Sequence, residues 1–460
     1  MSPSVFDRAH RLTTAGLLML VTFIAFESMA VGTAMPTAVA ELDGLAWYAW
    51  PFSAFLVASV VGMVVGGSTG DRRGVRVALP WGVGAFAAGL LTAGLAGDMA
   101  VFVAGRAVQG LGAGVIVVLL YVVAGQAYDG PLRPRLFGAI SAAWVLPALV
   151  GPLVAGLLTT HAGWRVVFLG LLPLIVLGLA LVLPAVRVLP PPEHPADRGA
   201  GWGWALLAGL GIAALQYAGQ RRDLLAVAVA VAGVAALVAG LRPLLPPGTV
   251  RAARGLPAVV ASRGLLAGAF FGMDALLPLT LTQVHGFSAT AAGIPLTAGA
   301  LGWAAASNLQ GRRPDLPRHR LLRTGFVLVA VGLAATSLAA LPALGGWPAY
   351  LSWTVAGLGM GLGMPSVGVL LLDQSPEHRR GADSAALQIS DVTASALCIG
   401  LAGVLVAAAT AGALSLPVAV LASISVLTAL ALVGAAVAGR AAAPAAAAGQ
   451  GAGATTLAPS

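Results

Sequence analysis

The chain has 460 residues, of which 59% are hydrophobic and only 9% charged, with a formal net charge of +9. Soluble domains carry about a quarter charged residues, so this composition excludes one. The basic excess is all arginine and has no basic stripe or interleaved aromatics, which argues against nucleic-acid binding. The single Cys398 lies in an apolar run, so no disulfide framework or cysteine metal site is expected. Arginine without lysine, beside abundant Ala and Gly, points to a GC-rich bacterial genome.

A membrane-spanning helix needs about 20 apolar residues. The first such run, near 12–36, is longer than a signal-peptide core of roughly 7–15 residues and contains Glu27, so it reads as a retained span. Runs follow near 47–69, 76–97, 99–126, 136–159 and 164–186. After a Pro-rich charged gap come two shorter runs, 201–219 and 224–241. Six more follow at 257–283, 290–310, 321–342, 348–372, 384–410 and 414–438. The predicted fold is all-α and integral to the membrane, with fourteen spans. Residues 1–190 form an N-terminal six-helix bundle, 191–256 a linker with two additional membrane helices, and 257–440 a C-terminal six-helix bundle. The two bundles are expected to be related by a pseudo-twofold axis. The Ala/Gly-rich residues 441–460 read as a disordered cytoplasmic tail.

With this count the arginines sort by side. Clusters at Arg72, Arg73 and Arg76, at Arg251 and Arg254, at Arg312, Arg313 and Arg318, and at Arg379 and Arg380 all fall on one face. Only Arg165, Arg221 and Arg222 fall on the other, while Arg106 and Arg263 lie within spans. Positive charge collects on the cytoplasmic face, so both termini are placed inside. Dropping one linker span would invert the second six and move the Arg312–Arg323 cluster outside.

The two sixes resemble one another. Each first span carries one acid followed by a proline, Glu27 with Pro36 and Asp274 with Pro278, and each second span ends in a basic cluster. Internal symmetry of this kind marks transporters built from repeated halves.

The gap after the second span reads Gly67-Ser-Thr-Gly-Asp71-Arg72-Arg73-Gly74-Val-Arg76. It resembles the G-x-L-A-D-R-x-G-R-K loop of the major facilitator superfamily, with Thr69, Gly70 and Val75 departing from the pattern. Glycines permit a tight turn, and Asp71 can sit against a helix N-terminus. Arg106-Ala-Val-Gln109-Gly110-Leu-Gly112-Ala is similar to the family's R-x-x-Q-G-x-G-A motif, and Gly151-Pro152-Leu-Val-Ala155-Gly156 to the antiporter signature G-P-x-x-G-G. Glu27 through Pro36, and Pro278 through Gly293, resemble stretches of the fourteen-span drug:proton antiporter branch. The resemblance implies a gate at Gly67, Asp71, Arg72, Arg73, Gly74 and Arg76 that latches the cytoplasmic side when the outside is open. It implies proton coupling at Arg106, and an antiporter contact at Gly151, Pro152 and Gly156.

Depth supports a cavity independently. Helices rise 1.5 Å per residue, which puts Glu27 and Asp274 roughly 14 Å, and Arg106 roughly 11 Å, below the outer surface. A charge there costs at least ~2.5–3.5 kcal/mol unless it finds a partner, a proton or water. All three are expected to line one central aqueous cavity, with Glu27 and Asp274 as protonatable acids and Arg106 as the permanent charge that biases their exchange. Candidate substrate contacts are Gln109, Tyr121, Gln126, Trp144, Asn308 and Gln388. Asp391, near the inner ends of the spans, reads as a partner for loop arginines. The histidines lie at span ends or in loops, so no metal site is expected.

These readings point to a proton-coupled exporter of small amphipathic, cationic or lipophilic compounds in a bacterial inner membrane. It is expected to act as a monomer in the lipid bilayer, driven by the proton gradient without a cofactor or nucleic-acid partner. The alternative is a dedicated exporter of an endogenous metabolite, antibiotic or lipid. A non-transporting sensor ranks lower, and a membrane enzyme lower still, since neither D-D-x-x-D nor H-E-x-x-H occurs.

Overall fold

The computed structural model describes residues 5–8, 10–128, 132–189, 201–221, 223–313, 315–376 and 379–442. Their helices are α1 (Arg11–Glu41), α2 (Trp50–Arg73), α3 (Val75–Gly94), α4 (Met99–Ala127), α5 (Leu132–Ala162), α6 (Arg165–Leu169), α7 (Leu172–Val188), α8 (Gly201–Gly219), α9 (Leu224–Leu241), α10 (Leu256–His285), α11 (Ala289–Gly311), α12 (Arg318–Thr336), α13 (Pro348–Gln374), α14 (Arg380–Thr410) and α15 (Leu416–Val437). Each predicted span falls on a helix. The sixth is broken in two, because Gly170 ends α6 and Pro173 is tolerated only in the first turn of a new helix, α7. Among the described residues, eleven helical segments are long and apolar enough to cross a membrane. With α5, α8 and α11, the last two diluted by small and polar residues, the long segments number fourteen. The expected tail, from residue 443 onward, lies outside the described residues.

The helix neighbours repeat. α4 is sandwiched between α2 and α3 as α13 is between α11 and α12, and α1 packs on α5 and α7 as α10 packs on α14 and α15. In lipid no hydrophobic force draws helices together, so close approach depends on small residues. A side chain at Gly110 or Gly114 of α4 would strike the Phe55 or Ser59 carbonyl of α2, and one at Gly112 the backbone of Phe86 on α3. On α13, Gly357 and Gly361 meet Gly299 and Trp303 of α11, and Gly359 meets Gly325 of α12. The same alternation of glycines every second residue thus wedges the middle helix into both halves.

These contacts set helix directions, and successive spans run up and down. The connections α2–α3, α7–α8, α9–α10, α11–α12 and α13–α14 therefore lie at one end, which carries the arginine clusters. At the opposite end Arg165 pairs with Glu41, and Arg221 with Asp223. Two exceptions to the charge bias are thereby neutralised, while Arg222 lies outside the described residues.

The halves meet through α5 on α11, α2 on α14 and α1 on α10, with α8 laid against both α2 and α14. The Tyr48 hydroxyl donates to the Ala275 carbonyl (2.5 Å), and Thr160 shares a hydrogen bond with Thr290 (3.0 Å).

Gly112→Leu and Gly357→Leu should each abolish recovery of monodisperse protein in detergent. Gly84→Leu, at a position open for 4 Å around its Cβ, should behave as the parent. Size-exclusion profiles and thermal stability of the three variants check this.

Candidate functional site

Arg106 and Gln109 stand three residues apart on α4 and so share a face. Arg106 Nη1 donates to Glu27 Oε1 of α1 and to Gln109 Oε1 (2.6 Å), and Nε donates to the Pro51 carbonyl at the start of α2 (3.4 Å). The Phe55 ring lies 4.3 Å from the guanidinium carbon, and Phe168 lies 5.9 Å away. Glu27 is 0% and Arg106 2% exposed. Glu27 Oε2 and Gln109 Nε2 are buried without a hydrogen-bond partner. The planar guanidinium suits this arrangement, since its donors can serve several acceptors while its face lies on a ring.

Asp274 lies on α10, the counterpart of α1. It is half-buried and takes part in no ion pair among the described residues. Beside it the Tyr48 hydroxyl donates to the neighbouring Ala275 carbonyl, and the indole nitrogen of Trp353 on α13 is buried without a hydrogen-bond partner. Trp353 precedes Gly357 by four residues, as Arg106 precedes Gly110. The second half therefore presents an indole, stacked on Phe270 at 4.7 Å, where the first half presents a guanidinium. Glu27 and Arg106 satisfy each other in a buried contact across α1 and α4. Asp274 approaches α1 at Gly32, and the position on α13 that matches Arg106 carries no charge.

A second ion pair lies within the membrane. Arg263 of α10 donates from Nε to Asp391 Oδ2 of α14 (2.7 Å), with Nη2 at 2.6 Å from the same oxygen and 3.4 Å from Gln388 Oε1. Asp391 thus answers an arginine inside a span, not one in a loop. The signal for this pair is the presence of one in-span cation and one in-span acid, each on a helix entering from the arginine-rich end.

The remaining candidates fall in several places. Gly67 and Gly70 are interior to α2, and the turn to α3 is made by Gly74 alone, at φ 78°. The helix persists because nothing breaks it earlier. Asp71, Arg72, Arg73 and Arg76 are exposed, and Asp71 has no hydrogen-bond or ion-pair partner among the described residues. In the antiporter-like stretch Gly151 faces Met29 of α1 and the Pro152 carbonyl faces Gly293. A Cβ on Gly156 would lie 2.6 Å from Thr290 Cα, so this stretch forms the closed α5–α11 contact. Gln109 is buried, with Oε1 accepting from Arg106. Tyr121 is half-exposed, and Gln126, Asn308 and Gln388 are exposed. The side chain of Trp144 lies outside the described residues. Gln310, not anticipated from the sequence, fastens α11 to α13 by donating to the Gly361 carbonyl (2.5 Å) and accepting from Ser366 (3.1 Å).

A model of the Major Facilitator Superfamily matches residues 17–397. The chain is 28% identical over 182 residues to a multidrug transporter of Bacillus subtilis, covering 40% of this chain and 34% of that protein. It is 31% identical over 201 residues to an MFS-type transporter of the acurin A biosynthesis cluster of Aspergillus aculeatus, with 43% and 36% covered. Those two matches span about a third of the relatives' length. A probable multidrug-efflux transporter of Mycobacterium tuberculosis is 28% identical over 403 residues, which cover 82% of this chain and 84% of that protein. Among solved structures, the in meso crystal structure of the POT family transporter PepTSo aligns with a TM-score of 0.69 at 16% identity over 93% of this chain and 97% of that one. The human organic anion transporter MFSD10 aligns with a TM-score of 0.61 at 14% identity over 93% and 99%. At such identities the likeness is one of fold. With the family match covering most of its length, the chain belongs to the Major Facilitator Superfamily, a family of transporters rather than enzymes.

Proposed function

We propose that this chain is a proton-coupled exporter of small amphipathic compounds that works by rocking a bundle of residues 1–190 against one of residues 257–440. The observation that carries this reading is the unequal treatment of the two matched acids: Glu27 is locked to Arg106, while Asp274 has no ion-pair partner among the described residues. An acid at that depth without a partner must take a proton or meet water. Asp274 is therefore the proton-loading site, and Glu27 is the acid whose protonation releases Arg106. The arginine-rich end is cytoplasmic by the positive-inside rule, with both termini inside a bacterial inner membrane. In this reading the α5–α11 contact closes the outer side, and alternating access requires it to part. A cationic lipophilic compound enters from the inner side, and protons arriving from outside displace it.

The antiporter-type stretch at that closed contact supports export over import. So do the relatives from Bacillus subtilis and Mycobacterium tuberculosis described as multidrug transporters. A dedicated metabolite exporter is the second reading, favoured by the relative encoded in a biosynthesis cluster.

Reconstituted protein should move a fluorescent cationic dye against a pH gradient, and dye flux unchanged by collapsing that gradient overturns proton coupling. Asp274→Asn should retain dye binding but lose pH-gradient-driven flux; a variant with parental flux moves the proton site elsewhere. For the pair, Glu27→Ala leaves a buried arginine uncompensated and should cost about 3–5 kcal/mol of stability. Glu27→Gln, which keeps an acceptor for Nη1, should lose much less. Thermal denaturation in detergent reads the difference.

A further inference from the structure

Among the described residues, one cavity has a volume of about 410 Å³. It lies between the end of α9, the loop before α10, and α10, α14 and α15, at the arginine-rich end. Its wall is apolar along Leu265, Leu397, Val433 and Val437, and its rim carries Arg251 and Arg440. The rim is pinned in place. The Gly255 N–H donates to the Arg440 carbonyl (2.9 Å), and Arg440 Nη1 donates to the Arg251 carbonyl (3.5 Å). Arg242 and Arg254 flank the same loop. All four guanidinium groups are exposed, and none has an acidic partner among the described residues. Like charges held together without an acid call for an anion. Beside them Val250 is 93% exposed, an apolar side chain projecting next to cations. That pairing suits the boundary between headgroups and hydrocarbon, where an arginine keeps its charge in the polar layer.

We infer that this groove binds one anionic phospholipid, with an acyl chain along the apolar wall and the phosphate between Arg251 and Arg440. The guanidinium fork matches phosphate oxygens in two-point hydrogen bonds, and basic pockets between membrane helices bind anionic headgroups. A free anion would use the rim alone and leave the apolar wall unfilled. A zwitterionic lipid would fill the wall but leave the paired positive charges unanswered. The site therefore selects the molecule that has both parts.

The test is native mass spectrometry of the delipidated full chain titrated with phosphatidylglycerol, phosphatidylcholine or inorganic phosphate. Phosphatidylglycerol should bind at lower concentration than phosphatidylcholine, with an affinity that falls as salt rises. The double variant Arg251→Gln/Arg440→Gln keeps the backbone hydrogen bond from Gly255 to residue 440 and should weaken phosphatidylglycerol binding roughly thirtyfold, leaving phosphatidylcholine unchanged. Val433→Trp, which fills the groove from its exposed edge, should weaken both lipids. Equal binding of the two lipids, or parental phosphatidylglycerol binding in the double variant, would overturn the headgroup assignment. Parental binding by Val433→Trp would overturn the acyl groove. Inorganic phosphate displacing the lipid at equal concentration would mark a plain anion site instead.

Discussion

An ionised side chain below the bilayer surface needs a substitute for water, and Arg106 assembles one from three helices. Its own α4 supplies Gln109, α1 supplies Glu27, and α2 supplies the Pro51 carbonyl and the Phe55 ring. A guanidinium reaches only a few ångströms, so α4 must lie almost backbone to backbone on α2. Gly110 and Gly114, on the face toward α2, make that approach sterically available. Charge satisfaction and helix packing are thus one constraint: a side chain at Gly110 would push apart the groups that solvate Arg106, and loss of Glu27 would leave the close packing around an unanswered charge.

The second half repeats the packing without repeating the chemistry. α13 has the same alternating glycines against α11 and α12, yet the residue four positions before Gly357 is Trp353. An indole offers one neutral donor where the guanidinium offers five charged ones, so Asp274 meets no counter-charge on α13. The cation of this half stands on α10 itself, as Arg263, and is taken by Asp391 of α14. The halves share a scaffold but distribute their charged groups differently.

Helix order was legible in the sequence and azimuth was not. A helix rises by a fixed amount per residue, so the spans and the shared level of Glu27 and Arg106, which meet, could be counted along the chain. Which faces meet depends on how neighbouring helices rotate, and that is set by contacts far apart in sequence. The meeting of Arg263 with Asp391 across 128 residues is a fact of azimuth. The glycines of the R-x-x-Q-G-x-G-A stretch were readable as packing residues, but the capture of Gln109 by Arg106 within the same turn was not, because a membrane glutamine has the same sequence signature whether it bonds a helix or a substrate. The turn at Gly74 illustrates a further ambiguity. Gly67 and Gly70 permit a turn, yet permission is not requirement, and α2 continues through both until the chain reaches a backbone angle only Gly74 adopts readily.

The two additional helices are not equivalent connectors. α9 packs on α8 and is only 11% buried, so most of its surface is left to lipid. α8 instead lies along the seam between the halves. It meets α2 where Gly209 faces Val57, and α14 where Gly219 faces Val404 and Gly400 faces Gln216. The contact with α2 is apolar throughout, continuing through Ala205 and Val60. The contact with α14 contains the Gln216 amide, whose oxygen and nitrogen are both buried without a partner. The apolar cluster at Ala205 and Val60 also takes in Ile389 and Val392 of α14, so α8 packs on both helices at once. A helix that packs on both sides of the seam covers it, which α9, packed on α8, does not.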